Sequence, residues 1–176
     1  MKMNLIAFAL AATAAVSMSN AFAAAGTVNF SGQILDAACT VDVASQNQTV
    51  TLGQYNKSEF TNAGDVTAAK KFSIVLKDCP AAVTQAHVRF DGTPETTDST
   101  LLAIDSSAAG AATGVAINMM SADMTQLPLH GDNNYRYTLS STAPNSLDFY
   151  AQYKSTAQTV TAGPANSVAS FSVVYN

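Results

Sequence analysis

The segment Gly26-Thr27-Val28-Asn29-Phe30-Ser31-Gly32-Gln33-Ile34 decides how the rest of the chain reads. Val28, Phe30 and Ile34 alternate with Thr27, Asn29, Ser31 and Gln33, the period of two that sends apolar side chains to one face of a β-strand and polar ones to the other. Gly32 occupies one place on the apolar face and leaves it without a side chain. Upstream lies an export signal: Lys2 supplies the positive end, Leu5 to Val16 the apolar stretch, and Ala21-Phe22-Ala23 an A-x-A cleavage site. Ser17, Ser19 and Asn20 break the apolar stretch before the roughly 20 residues of a membrane span. The expected division is therefore a signal peptide over 1–23, a free N-terminal arm over 24–35 and a folded domain over 36–176. By pattern alone the arm also reads as an ordinary first strand paired within its own domain, and both readings stay open at this point.

Outward from this segment the same alternation recurs. Val50 and Leu52 sit between Thr and Gly residues, and Phe72, Ile74 and Leu76 share a face. Ala86, Val88 and Phe90 alternate with His87, Arg89 and Asp91, which places His87 on the polar side. Val115, Ile117 and Met119 follow Gly114. Tyr135, Tyr137 and Leu139, then Leu147, Phe149, Ala151 and Tyr153, and finally Phe171, Val173 and Tyr175 complete the set. Asp91-Gly92-Thr93-Pro94, His130-Gly131-Asp132-Asn133-Asn134, Ala143-Pro144-Asn145 and Ala162-Gly163-Pro164 carry turn chemistry between them. A short helical turn fits Asn56 to Phe60, and Ser106 to Gly114 reads as a loop. Many short strands separated by turns point to an all-β sandwich, and their number and spacing suit an immunoglobulin-like one.

The roughly 153 residues after the cleavage site suit one domain. Charged residues make up 11% of the 176-residue chain and the formal net charge is −4, with no Lys/Arg cluster of the kind nucleic-acid binding needs. Two cysteines in an exported chain, Cys39 and Cys79, read as one disulfide. They lack C-x-x-C spacing, and His87 and His130 have no second ligand at a recognisable interval, so no metal site is expected. No nucleophile elbow, zinc-protease helix or P-loop is present. His87 and His130 look unpartnered, Asp78 and Asp148 have no paired spacing, and no cofactor or active site is expected. Asn47-Gln48-Thr49 matches a glycosylation acceptor, a pattern common by chance.

Several segments together carry a family resemblance. Gly26 to Ile34 is followed by Ala38-Cys39-Thr40-Val41, then by Gln48-Thr49-Val50-Thr51-Leu52-Gly53-Gln54 and Phe72-Ser73-Ile74-Val75-Leu76-Lys77-Asp78-Cys79. Ala112-Thr113-Gly114-Val115-Ala116-Ile117 and Phe149-Tyr150-Ala151-Gln152-Tyr153 come next. Tyr175 is penultimate and Gly163 lies 13 residues before the end. In this order the segments resemble the type 1 fimbrial subunits of the chaperone–usher class over the whole chain after the signal. The resemblance implies an incomplete immunoglobulin-like β-sandwich, the pilin fold, completed by a donor strand from another chain. It implies that Val28, Phe30, Gly32 and Ile34 form the donor arm. It likewise implies that Gly163, Phe171, Val173 and Tyr175 belong to an acceptor groove that also binds a chaperone. The implied partners are a periplasmic pilus chaperone, an outer-membrane usher, neighbouring pilin subunits and a host-surface receptor reached through the fibre. The implied location is a cell-surface fimbrium reached through the periplasm. The arm has only Ala24 to Thr27 before its apolar run, shorter than in many main-shaft subunits. A self-contained immunoglobulin-like binding module, with its first strand in its own sheet, is the rival reading.

Overall fold

Alternating segments become strands where both their backbone and their apolar face find partners. The structure, a computed structural model, describes residues 26–32, 34 and 38–175. The signal peptide read over 1–23, residues 24–25, 33 and 35 of the arm, residues 36–37 and Asn176 lie outside the described residues. The chain divides into two units, Met1–Ile34 and Leu35–Asn176. The described residues of the first unit contain no strand.

The second unit is an incomplete immunoglobulin-like sandwich of two antiparallel sheets. One contains β1 (Thr40–Val41), β2 (Lys70–Lys77), β7 (Asn145–Ser155), β5 (Val115–Met120) and β4 (Leu102–Ala103), in that spatial order. The other contains β6 (Tyr137–Thr138), β3 (Gln85–Gly92) and β8 (Ala169–Tyr175). A short helix α1 (Val43–Gln46) follows β1, started by the Asp42 carboxylate accepting from Ala44 N–H at 2.9 Å. The helical turn expected near Asn56 is a 3-10 turn at Lys57–Glu59, closed by a reciprocal capping box between Asn56 and Glu59.

The core lies between the sheets. Phe72 on β2 is in register with Phe149 on β7, and their rings stack at 5.5 Å. Phe90 on β3 meets both from the opposite sheet, at 6.1 and 5.3 Å, in edge-to-face geometry. Phe149 is fully buried, as are Ile74 and Leu76 on β2. Edge-to-face aromatic pairs add to the burial term because the positive ring edge meets the negative ring face. The Cys39–Cys79 disulfide is present and ties the start of β1 to the end of β2, where Thr40 pairs with Lys77.

Four expectations need correction. His87, read as lying on a solvent-facing side of β3, is 5% exposed. Asp132 of the loop 130–136 reaches it there, while Arg89 on the same side of β3 stays exposed. His87 and His130 are also not unpartnered: each pairs with an aspartate across that loop. The Tyr135–Leu139 strand shrinks to Tyr137–Thr138, because the chain before it leaves the ladder as that loop. In β5 all six residues are buried, so Ala116, Asn118 and Met120 do not face solvent as alternation implies.

Replacing Phe149 by alanine is expected to cost about 3–5 kcal/mol, since it deletes the ring that both sheets share. A urea denaturation midpoint checks this, and a loss below about 1 kcal/mol contradicts the packing described. Cys39→Ser opens a loop of about 40 residues and is expected to cost about 4 kcal/mol on the chain-entropy account. Unchanged export yield and melting would contradict a stabilising bridge.

Candidate functional site: an open groove beside the last strand

β8 is bonded on one side only. Seven residue pairs join it to β3, from Ala86↔Tyr175 to Gly92↔Ala169, and no described strand pairs with its other edge. In an antiparallel ladder alternate residues turn both N–H and C=O away from the partner, so β8 presents a row of unpaired groups along this edge. Facing it runs the segment Gln48–Gly53. The segment is extended but belongs to no strand, and no backbone–backbone hydrogen bond joins it to a strand among the described residues. It is held in place by side chains instead. Gln48 Nε2 donates to Ser73 O at 3.3 Å, the Ser45 hydroxyl accepts from Val75 N–H at 3.0 Å, and Tyr55 Oη donates to Leu52 O at 3.1 Å.

Between these walls lies a groove of about 610 Å³. Its floor is the edge of the core, lined by Phe72, Phe90, Ile117 and Met119 with Ile74 beneath them. None of the described residues lining it is charged. Val50 and Phe171 are only half-buried although they pack against the core cluster. Gly53, Tyr153, Ala165 and Asn166 also line a second hollow of about 410 Å³, which therefore adjoins the groove at one end. Tyr153 Oη donates to Ala165 O at 2.8 Å, and burial, with Tyr55 beside it, pushes the Tyr153 hydroxyl above its ordinary value. The phenol therefore stays neutral, and the groove, polar along its rim and apolar at its floor, carries no charged side chain among its described lining residues.

The residues singled out from sequence fall in three places. Ala169, Phe171, Val173 and Tyr175 share the inward face of β8; Ala169 and Phe171 line the groove and Val173 and Tyr175 continue the face past it. Tyr175 Oη donates to Cys39 O at 3.3 Å, which places the disulfide at that end. Gly163 lies in the adjoining hollow, not on the groove wall. A Cβ there would stand 2.0 Å from Gly110 O and 2.6 Å from Ala112 N, so only glycine allows this approach of two backbones. In the first unit, Val28, Phe30 and Ile34 are 73%, 93% and 96% exposed, and a Cβ on Gly32 would meet nothing within 4 Å. Between Gly26 and Leu35 there is no charged residue. Sequence reasoning missed the groove's second wall. Val50 and Leu52 carried the signal, but alternation does not reveal that a segment lacks a pairing partner.

The matches to known proteins agree with this geometry. The family model described as "Fimbrial protein" matches residues 28–176. The chain is 40% identical over 172 residues to a type 1 fimbrial subunit of Salmonella typhimurium, covering 96% of this chain and 92% of that protein. It is 43% identical over 155 residues to a type-1 fimbrial protein A chain of Salmonella typhi, covering 85% and 82%. Among solved structures it is similar to the P pilus rod subunit PapA, with a TM-score of 0.67 at 25% identity, over 80% of this chain and 100% of that one. It is also similar to a type I fimbria protein of Burkholderia pseudomallei, with a TM-score of 0.60 at 34% identity, over 85% and 97%. The chain belongs to the fimbrial protein family, whose members are the exported structural subunits of bacterial cell-surface fimbriae.

Proposed function

We propose that this subunit polymerises by donor-strand exchange: the arm over 24–35 of one copy fills the groove between Gln48–Gly53 and β8 of a neighbouring pilin. The observation that carries the reading is the matching chemical character of groove and arm. The groove is uncharged, apolar at its floor and bordered on both walls by backbone without a ladder partner among the described residues. The arm is uncharged, alternating and exposed. An inserted strand would complete the ladder of β8 and cover the core edge at once. Val28, Phe30 and Ile34 would enter the groove, and Gly32 would pass where the backbone must come closest. Each large side chain buried this way contributes roughly 1.5–3 kcal/mol, and each ladder hydrogen bond about 1 kcal/mol more.

Before assembly the same groove would be filled by a periplasmic chaperone strand, since an exposed apolar edge invites aggregation. An outer-membrane usher would then direct the exchange of the chaperone strand for the neighbour's arm. In this reading residues 1–23 are removed on export and 36–176 form the pilin domain. The chain is not an enzyme; it supports adhesion mechanically, through a fibre that presents contacts to host-surface receptors.

The deciding experiment compares thermal melts of two proteins produced in the periplasm, residues 36–176 alone and the same residues with a copy of 24–35 linked after Asn176. The armless domain should aggregate or melt low, and the linked form should be monomeric and far more stable. Equal stability of the two means a complete sandwich and favours the self-contained binding module. Gly32→Trp should abolish fibres in electron micrographs while leaving the disulfide intact; normal fibres would contradict the insertion. Gly163→Val should lower the melting temperature of the linked form, because the backbone at 110–112 and at 163 must separate to admit the side chain. Unchanged melting would contradict that close approach.

A further inference from the structure

The edge of β3 away from β8 is not left open. β6 pairs with it only at Gln85 and Ala86. Beyond that the loop 130–136 replaces a strand: His130 N–H donates to Phe90 O and Asn133 Nδ2 donates to Val88 O, both at 2.9 Å. Two histidine–aspartate contacts fasten this loop, and they run in opposite senses. His87 of β3 reaches Asp132 of the loop, Nε2 to Oδ1 at 2.9 Å. His130 of the loop reaches Asp91 of β3, Nδ1 to Oδ1 at 2.9 Å, and its Nε2 meets Gly92 O at 2.7 Å.

The two rings have opposite proton requirements. A carboxylate and a carbonyl only accept hydrogen bonds. Both nitrogens of His130 face such acceptors, so its two contacts form together only on a ring carrying both protons. His87 has one acceptor. Its Nε2–H donates to Asp132, while its Nδ1 is buried with no hydrogen-bond partner among the described residues. A second proton on His87 would put an N–H into that pocket without an acceptor, at a desolvation cost. The charged groups facing His87 are Asp132 and Arg136 from the loop and Arg89 from its own strand. β8 offers Val174 in register and Ser172 beside it. Asp91, which holds His130, also contacts Arg89 at 3.3 Å.

We propose that the loop 130–136 is a proton-operated clasp on β3: closed while His87 is neutral, and released from its Asp132–Asn133 end when His87 is protonated, baring the Val88 carbonyl. The His130 end stays fastened, because both its ring nitrogens and its backbone N–H have acceptors on β3. The loop therefore swings open about His130 and does not detach. Burial is the main influence pushing the His87 imidazole below the ordinary histidine value, Arg136 acts in the same direction, and Asp132 opposes them. The closed form thus binds the proton less readily than the open form, so closure is favoured at neutral pH and weakens as pH falls below about 6.5.

Amide hydrogen exchange on the full exported chain, as it assembles, tests this between about pH 7.5 and about pH 5, either side of the ordinary histidine value. After correction for intrinsic rates, protection over residues 132–136 should be lost in acid, while the His130 amide stays protected. His87→Phe, which cannot take a proton, should remove the acid loss, and His130→Gln should keep it. Constant protection in the unmodified chain, or an undiminished acid loss in His87→Phe, overturns the proposal. Should His87→Phe fail to fold, ring C2 exchange of the unmodified chain decides. His87 must titrate over the same pH interval in which the 132–136 amides lose protection, and titration elsewhere overturns the clasp.

Discussion

A strand in a sandwich has two obligations, to bury its apolar face and to pair both backbone edges. β8 meets the second on one side only. That half-met obligation organises the rest of the domain. Closing the core within the chain would require one more strand between β8 and the Gln48–Gly53 segment, and the described residues place none there. The result is a cleft whose floor is core and whose walls are backbone. Apolar area and unpaired hydrogen-bonding groups in the same cleft favour an extended, alternating, uncharged insert over a compact ligand. The Gly26–Ile34 segment has that character.

The near wall shows how such a cleft keeps its width. A segment without ladder bonds would ordinarily collapse onto the core or fray. Here the disulfide and the two-residue β1 anchor the chain to the end of β2, and Asp42 N–H donates to Val75 O as α1 begins. Ser45 and Gln48 then reach β2 through side chains rather than main chain. Apart from the Leu52 carbonyl, which accepts from Tyr55, the backbone of Gln48–Gly53 is thereby positioned without using its own hydrogen-bonding groups. Side-chain tethers of this kind cost little to keep and do not consume the groups that an inserted strand needs.

The two outer edges of the three-stranded sheet are managed differently. On the β3 side a loop covers the edge, supplying an Asn133 amide and a His130 N–H where a strand would supply its ladder. On the β8 side nothing in the described chain does so. An edge strand is a hazard unless covered, so among the described residues the sheet has one guarded edge and one open edge. The histidine pairs belong to the guarded edge, so a change of protonation there would act on the sheet without entering the groove.

Much of this was legible beforehand. Period-two alternation located β2, β3, β5, β7 and β8, because side-chain direction in a strand is set locally. Turn residues located the connections, and the cysteine pair the bridge. What alternation does not encode is which neighbour covers a face. His87 reads as a surface residue and is buried against Asp132, far along the chain, and Ala116, Asn118 and Met120 read as outward-facing and are buried. For the same reason the short strands β1 and β4, the shortening of the Tyr135–Leu139 strand to β6, and the pairing of both histidines were not legible. By itself the sequence determined the strand periods, the bridge and the apolar, uncharged character of the arm. Only the tertiary structure decided that β8 keeps a free edge and that Gln48–Gly53 faces it across an open cleft, because pairing and covering depend on contacts between segments far apart in the chain.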